Sequence, residues 1–157
     1  MDFWEPYISD DWPQTQPDTE GREFDWFCLD QAGHVGVFCS AGSGPVPEAV
    51  FQGGVERYNE LLAFLSAREQ LGAELVFNGR ENYQDWERYA KYGLYAFDFQ
   101  DVHRSSAKKR HGYDLIYRPK QPLMASELPE DLRAALLVVG VVFGEGNLVP
   151  TEQLSSR

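Results

Sequence analysis

The alternation of apolar and polar residues predicts a β-hairpin near the beginning of the chain. Residues 23–30 (EFDWFCLD) and 34–40 (HVGVFCS) are short runs rich in aromatic residues and valine, which is typical of strands. Gln31-Ala32-Gly33 lies between them and is expected to turn the chain. Apolar side chains alternate onto both faces of the runs, so we expect the hairpin to be covered on both sides.

Helical spacing dominates the next part of the chain. Apolar residues recur at intervals of three and four over 55–71, which predicts a helix there. A second helix is expected over 82–91, because Asn82 is a favourable N-cap. Pro47 is expected to open one short helix and Leu128-Pro129-Glu130-Asp131 another, since proline and acidic residues favour the first turn.

Strand patterns return in the second half of the chain. Residues 94–102 (LYAFDFQDV) alternate regularly, and 112–118 (GYDLIYR) form a second such run. The polar residues 103–111 are expected to form the loop that pairs these two strands. Periodicity leaves two alternatives for 136–143, a helix end or a buried strand. The order of elements predicts an α+β fold with an antiparallel sheet built from hairpins and two to three helices packed on one side.

The first 22 residues differ from the rest. They contain three prolines, six acidic residues and one basic residue, which indicates an extended acidic N-terminal segment. Its aromatic residues, Phe3, Trp4 and Trp12, suggest that it is tied to the body of the protein. The chain has 157 residues, a common size for one domain, so residues 23–157 are predicted to form a single α+β domain.

Charge restricts the classes of partner. The net charge is −11, which disfavours nucleic acid and anionic membranes and favours a basic protein partner. The chain contains no run of 18 apolar residues, and residues 1–6 do not resemble a signal peptide. We therefore expect a cytoplasmic protein in which Cys28 and Cys39 are reduced.

Two motifs could in principle bind a phosphate or a metal ion, but the neighbouring sequence does not favour either kind of site. The loop Gly42-Ser43-Gly44 could approach a phosphate, but two prolines follow it and remove N–H donors, so a tight turn is expected. Cys28, His34 and Cys39 lack the paired short spacings of zinc sites. We expect the two cysteines to lie diagonally on one hairpin face as buried, inert thiols that bind no metal.

Carboxylates are the remaining candidates for catalysis. Asp98, Asp101 and Asp114 lie on neighbouring predicted strands, and Asp25 and Asp30 lie on the first hairpin. General acid–base catalysis needs two carboxylates at a defined separation in a cleft. With 25 acidic residues in the chain, some fall near each other by chance, so no enzyme activity and no cofactor are predicted.

The first hairpin carries a pattern that resembles a known group of proteins. Asp25-Trp26-Phe27 is followed by conspicuous residues at fixed intervals, namely Asp30, Gly33, Phe38, Gly42, Gly44 and Pro47. Together with 113–119 (YDLIYRP) and Leu128-Pro129, this pattern resembles small bacterial immunity proteins encoded beside secreted polymorphic toxins. The resemblance covers roughly residues 24–130. It implies a protein that binds and neutralises one cognate toxin, such as a type VI secretion effector, and it implies no active site.

The interpretation as an immunity protein predicts where a partner binds. From charge and expected exposure, the predicted contacts are Asp10, Asp11, Trp12, Asp98, Asp101, Arg104 and Lys108. Two alternatives remain open at this point. One is a small cytoplasmic enzyme that uses a carboxylate or Cys28 and Cys39, and the other is an adaptor or chaperone for a secreted effector.

Overall fold

The computed structural model describes residues 6–77, 83–99 and 112–154. Within these ranges the chain forms six strands and four α-helices, joined by turns and short 3₁₀ segments. The strands are β1 (Asp25–Leu29), β2 (Val35–Cys39), β3 (Ala73–Leu75), β4 (Tyr95–Asp98), β5 (Gly112–Pro119) and β6 (Leu148–Pro150). The helices are α1 (Glu48–Gly53), α2 (Val55–Ser66), α3 (Gln84–Lys91) and α4 (Glu130–Ala135). No helix in the described ranges has the length and apolar character needed to span a membrane.

The six strands form one mixed sheet. Five of them lie in the order β1-β2-β4-β5-β3, and β6 shares the outer edge of β5 with β3. Strands β2 and β4 run parallel, whereas the other neighbours run antiparallel. The predicted α+β class is therefore confirmed. The expected antiparallel sheet built from hairpins is wrong, because the chain between β2 and β4 crosses over and returns in the same direction.

One face of the sheet carries a stack of aromatic rings. The ring of Phe38 stacks on Trp26 at 4.6 Å between centroids and on Phe97 at 4.4 Å. All three side chains are fully buried. The N-terminal segment covers this face with Trp12, and the chain after α4 covers it with Phe143. We call this the aromatic face.

Helices cover the opposite face. Buried residues of α2, α3 and α4 pack there against the strands and form a second core, which includes Leu61, Leu65, Tyr89 and Leu132 beside Val35, Val37 and Ala96. We call this the helical face. Its helices follow the predicted positions, with shifted ends. Helix α2 stops at Ser66 rather than at residue 71, and the backbone N–H of Leu71 instead donates to the carbonyl of Lys91 at the end of α3.

Residues 136–143 adopt neither of the two expected structures. They run irregularly beside β1, where Val138 forms an isolated parallel bridge with Leu29. The backbone of Leu29 donates to Leu137 and accepts from Val139, both at 2.8 Å. The β-branched residues therefore line the edge of β1 without forming a strand of their own.

The described part of the N-terminal segment is folded onto the body. It forms two 3₁₀ turns, Ser9–Asp11 and Gln16–Thr19. Between them, the indole N–H of Trp12 donates to the carbonyl of Phe51 at 3.0 Å. The side chain of Gln16 accepts from the N–H of Val46 and donates to the carbonyl of Gly44. The expected anchoring by Trp12 is confirmed, whereas Phe3 and Trp4 lie outside the described residues.

Packing on the aromatic face depends on Gly36. A Cβ added at this position would lie 2.7 Å from the ring of Phe143. We expect Gly36→Ala to lower the free energy of unfolding by about 1–3 kcal/mol, since the buried ring must shift. The measurement is the urea midpoint. Gly146→Ala is the matched control, because no atom lies within 4 Å of its added Cβ, and a loss of equal size in both variants would contradict the prediction.

Candidate functional site

Three carboxylates lie in one row across the sheet. Asp25 of β1 is the register partner of Cys39 in β2, Cys39 is the partner of Asp98 in β4, and Asp98 is the partner of Asp114 in β5. Side chains of register partners point to the same face, so these four groups are neighbours on the helical face. We call them the acid row. Asp98 and Asp114 are 5% and 2% exposed, so solvent does not screen their charges.

Asp98 has a strongly raised pKa. The pKa of Asp98 is raised from the ordinary 3.8 to about 8, chiefly by burial and also by the charges of Asp25 and Asp114. The hydrogen bond from the N–H of Phe99 only partly opposes this increase. Two carboxylates directly opposite each other on paired strands repel strongly if both ionise. Asp98 therefore carries a proton at neutral pH and is an acid rather than a base.

Asp25 is held from the helices above it. The hydroxyl of Tyr89 in α3 donates a short hydrogen bond to its carboxylate, and the hydroxyl of Tyr58 in α2 donates to its backbone carbonyl. Burial raises the pKa of Asp25, and the bond from Tyr89 opposes that shift. Burial and the nearby Asp25 raise the pKa of both tyrosines well above their usual value. The row thus ties the helices to the sheet.

Asp30, which follows the other end of β1, has a structural role. Its carboxylate accepts hydrogen bonds from the backbone N–H groups of Ala32 (2.9 Å), His34 (2.8 Å) and Phe143 (2.7 Å). The imidazole Nδ1 of His34 lies 2.8 Å away as well. Asp30 is 2% exposed, so its acceptor capacity is used to join the hairpin turn to the chain after α4.

Cys28 and Cys39 lie on opposite faces of the sheet, so the expected diagonal arrangement on one face is wrong. The register pairs Cys28 with Gly36 and Cys39 with Asp25, which places Cys28 on the aromatic face and Cys39 on the helical face. Both are buried free thiols, and burial raises the pKa of each well above its usual value. In the described part of the chain, no cluster of three or more potential ligands is arranged to hold a metal ion.

The glycine-rich loop forms a tight turn, as expected. The N–H groups of Ser43 and Gly44 both donate to the carbonyl of Ser40. Gly44 also lies so close to Tyr113 and Phe99 that an added Cβ would collide with both. Because these donors bond within the turn, they are not directed at a phosphate.

An exposed surface lies where the N-terminal segment meets the helices. An open groove of about 480 Å³ is lined by Ser9, the turn Gly53-Gly54, Val55, Glu56 and Arg57. A smaller apolar pocket of about 40 Å³ adjoins it and shares Gly53, Gly54 and Arg57. Ile8, which precedes the groove residue Ser9, is 63% exposed. We call the groove and the pocket together the α1–α2 surface.

The structure separates the residues predicted to bind a partner. Asp10 and Asp11 are exposed in the 3₁₀ turn that borders the α1–α2 surface. Trp12 is only 7% exposed and Asp98 is buried in the acid row, so the expectation that these two side chains contact a partner is not supported. The exposure expected of these two side chains is wrong, because local sequence does not reveal burial by distant segments. The other three, Asp101, Arg104 and Lys108, lie outside the described residues.

Comparisons with known proteins return no relative. No protein-family model, no curated protein and no solved structure matches the chain.

The acid row predicts a pH-dependent stability. A carboxyl whose pKa is raised on folding contributes stability below its unfolded pKa and loses it as the pH rises through its folded pKa. From the pKa of Asp98, we expect the free energy of unfolding to fall by roughly 5 kcal/mol between pH 4 and 8. Asp98→Asn cannot ionise, so its unfolding free energy should change less with pH and exceed that of the wild type at pH 9.

Urea unfolding at pH 5, 7 and 9 measures this effect. Glu74→Gln removes an exposed carboxyl from β3 and should retain the pH dependence of the wild type. Equal slopes for the wild type and Asp98→Asn would contradict the prediction.

Proposed function

We propose that this protein is an immunity protein of the cytoplasm, which binds a cognate secreted bacterial toxin and neutralises it by protein–protein contact. The pattern of residues in the first hairpin, which resembles immunity proteins encoded beside polymorphic toxins, supports the proposal. The proposed partner is a basic toxin domain, and no nucleic acid or membrane takes part.

The observation that carries the proposal is the excess of acid on the surface. The chain has 25 acidic and 14 basic residues, and four of the basic ones fall in the run 104–110. Of the basic residues that the structure describes, Arg57, Arg68 and Lys91 already form ion pairs with nearby carboxylates. Asp10, Asp11 and Glu56 are exposed in or beside the α1–α2 surface. Such a surface attracts a basic protein and accelerates its association.

The alternative of an enzyme is supported less well by the geometry. Asp98, Asp114 and both cysteines are buried, and a catalytic group must reach a substrate. An effector adaptor would use the same acidic surface, so binding alone does not separate it from an immunity protein. An adaptor binds its effector without stopping the effector's activity, so the activity of the bound partner distinguishes the two.

The test begins with a pull-down from the source cell, using the tagged protein co-expressed with the products of neighbouring genes. A basic toxin domain that stays bound at moderate salt and loses its activity in the complex is the expected result. Failure to recover such a domain, or recovery of a domain that stays fully active, would contradict neutralisation.

Charge reversal tests the acidic surface directly. We expect the double variant Asp10→Lys/Asp11→Lys to weaken toxin binding by on the order of tenfold, mainly through a slower association rate that depends less on salt. The control Glu145→Lys/Glu152→Lys makes the same change in charge at exposed positions next to β6. Biolayer interferometry at 50 and 300 mM salt measures both. Equal effects of the two double variants would show that only total charge matters.

A further inference from the structure

The apolar pocket of the α1–α2 surface lies between three helices. Its walls come from Gly53 of α1, from Arg57, Tyr58 and Leu61 of α2, and from Leu132 and Ala135 of α4. Its volume of about 40 Å³ is far below the roughly 300–1,000 Å³ of a pocket that encloses a small-molecule ligand. The pocket is therefore suited to the end of one aliphatic side chain.

Among the described residues that line this pocket, Arg57 is the one that carries a charge, and carboxylates lie close to it. The guanidinium of Arg57 lies 2.6 Å from the carboxylate of Glu60 and 3.9 Å from that of Asp131. Glu56 lines the adjoining groove. Glu56, Glu60 and Asp131 are thus three carboxylates near one cation, and we call these four residues the rim, which is negative overall. All four side chains are exposed or half-exposed, so a partner can reach them.

The turn beneath the pocket is fixed in place. Gly54 has a positive φ of 87° and ends α1 as it begins α2. The carbonyl of Phe51 accepts from the N–H of Gly54 and from the indole of Trp12. No atom lies within 4 Å of the position where a Cβ of Gly54 would stand, so a partner backbone can approach closely. A preorganised site of this kind loses little conformational entropy on binding.

We propose that this pocket receives one aliphatic side chain of the toxin, and that lysine or arginine residues flanking this side chain pair with Glu56, Glu60 and Asp131. The inference rests on the proposed function for the identity of the partner. Buried apolar anchors surrounded by a polar rim contribute most of the energy in many protein interfaces, and the negative rim selects a basic segment. The partner is therefore a basic strand or loop with a central leucine, isoleucine or methionine.

Two synthetic peptides test the chemistry without the toxin. The probes are acetyl-Lys-Lys-Leu-Lys-Lys-amide and the same peptide with serine at its centre. Titration is followed by backbone amide NMR shifts. We expect the leucine peptide to bind about tenfold more tightly than the serine peptide, with the largest shifts at Arg57, Leu132 and Ala135. Equal affinities, or shifts centred elsewhere, would overturn the inference.

Variants on α4 and α2 separate the pocket from the rim. Ala135→Leu fills the pocket and should abolish the preference for leucine over serine, whereas Ala134→Leu, at the exposed neighbouring position, should retain it. Glu56→Lys should weaken the binding of both peptides equally and leave the ratio of their affinities unchanged. This variant keeps the rim testable if Ala135→Leu fails to fold. Retention of the preference in folded Ala135→Leu would overturn the inference.

The same variants distinguish failure of this inference from failure of the proposed function. If the toxin binds the wild type and folded Ala135→Leu equally, the proposed function stands and the anchor pocket is wrong. If no toxin binds the wild type in the pull-down, the proposed function fails, and the assignment of a toxin side chain to the pocket fails with it.

Discussion

The parallel pairing of β2 with β4 determines how the rest of the chain is arranged. After β2 the chain must return to the opposite end of the sheet before β4 can start, and it forms α1, α2, β3 and α3 on the way. Crossovers of this kind place their helices on one face of a sheet. Helix α1 is the exception, because its Phe51 packs into the aromatic cluster, and residues before β1 and after α4 complete the cover of that face, largely with irregular chain. The two cores are therefore built from different kinds of structure.

Local pattern predicted most of the elements but not how they are connected in space. The hairpin, α2, β4 and β5 were predicted from their own periods of apolar residues, and α1, α3 and α4 from residues that favour the start of a helix. The parallel register and β3 were not. Strand β3 is three residues long, partly exposed, and exists only because β5 offers it an edge. Residues 136–143 likewise take their path from the edge of β1, which their own sequence does not encode.

The candidate site shows the same division. Asp98 and Asp114 were expected on neighbouring strands, and they are register partners. Asp25 joins them only because β4 lies against β2, a long-range contact with no local signal. Trp12 was expected both to anchor the N-terminal segment and to contact a partner. Of these two roles, the structure shows the anchoring. The pocket between α1, α2 and α4 joins segments about 80 residues apart, so no spacing rule could reveal it.

Closure of the aromatic face by the chain after α4 has a consequence for synthesis. Until residues 137–149 have emerged from the ribosome, Trp26, Phe38 and Phe97 lack the cover that Phe143 provides. At this stage Asp30 also lacks the Phe143 N–H donor. A nascent chain would therefore expose a broad aromatic sheet to the cell, and such surfaces recruit chaperones or self-associate. The segment after α4 closes the aromatic face, so its folding onto the sheet separates an aggregation-prone intermediate from the native state.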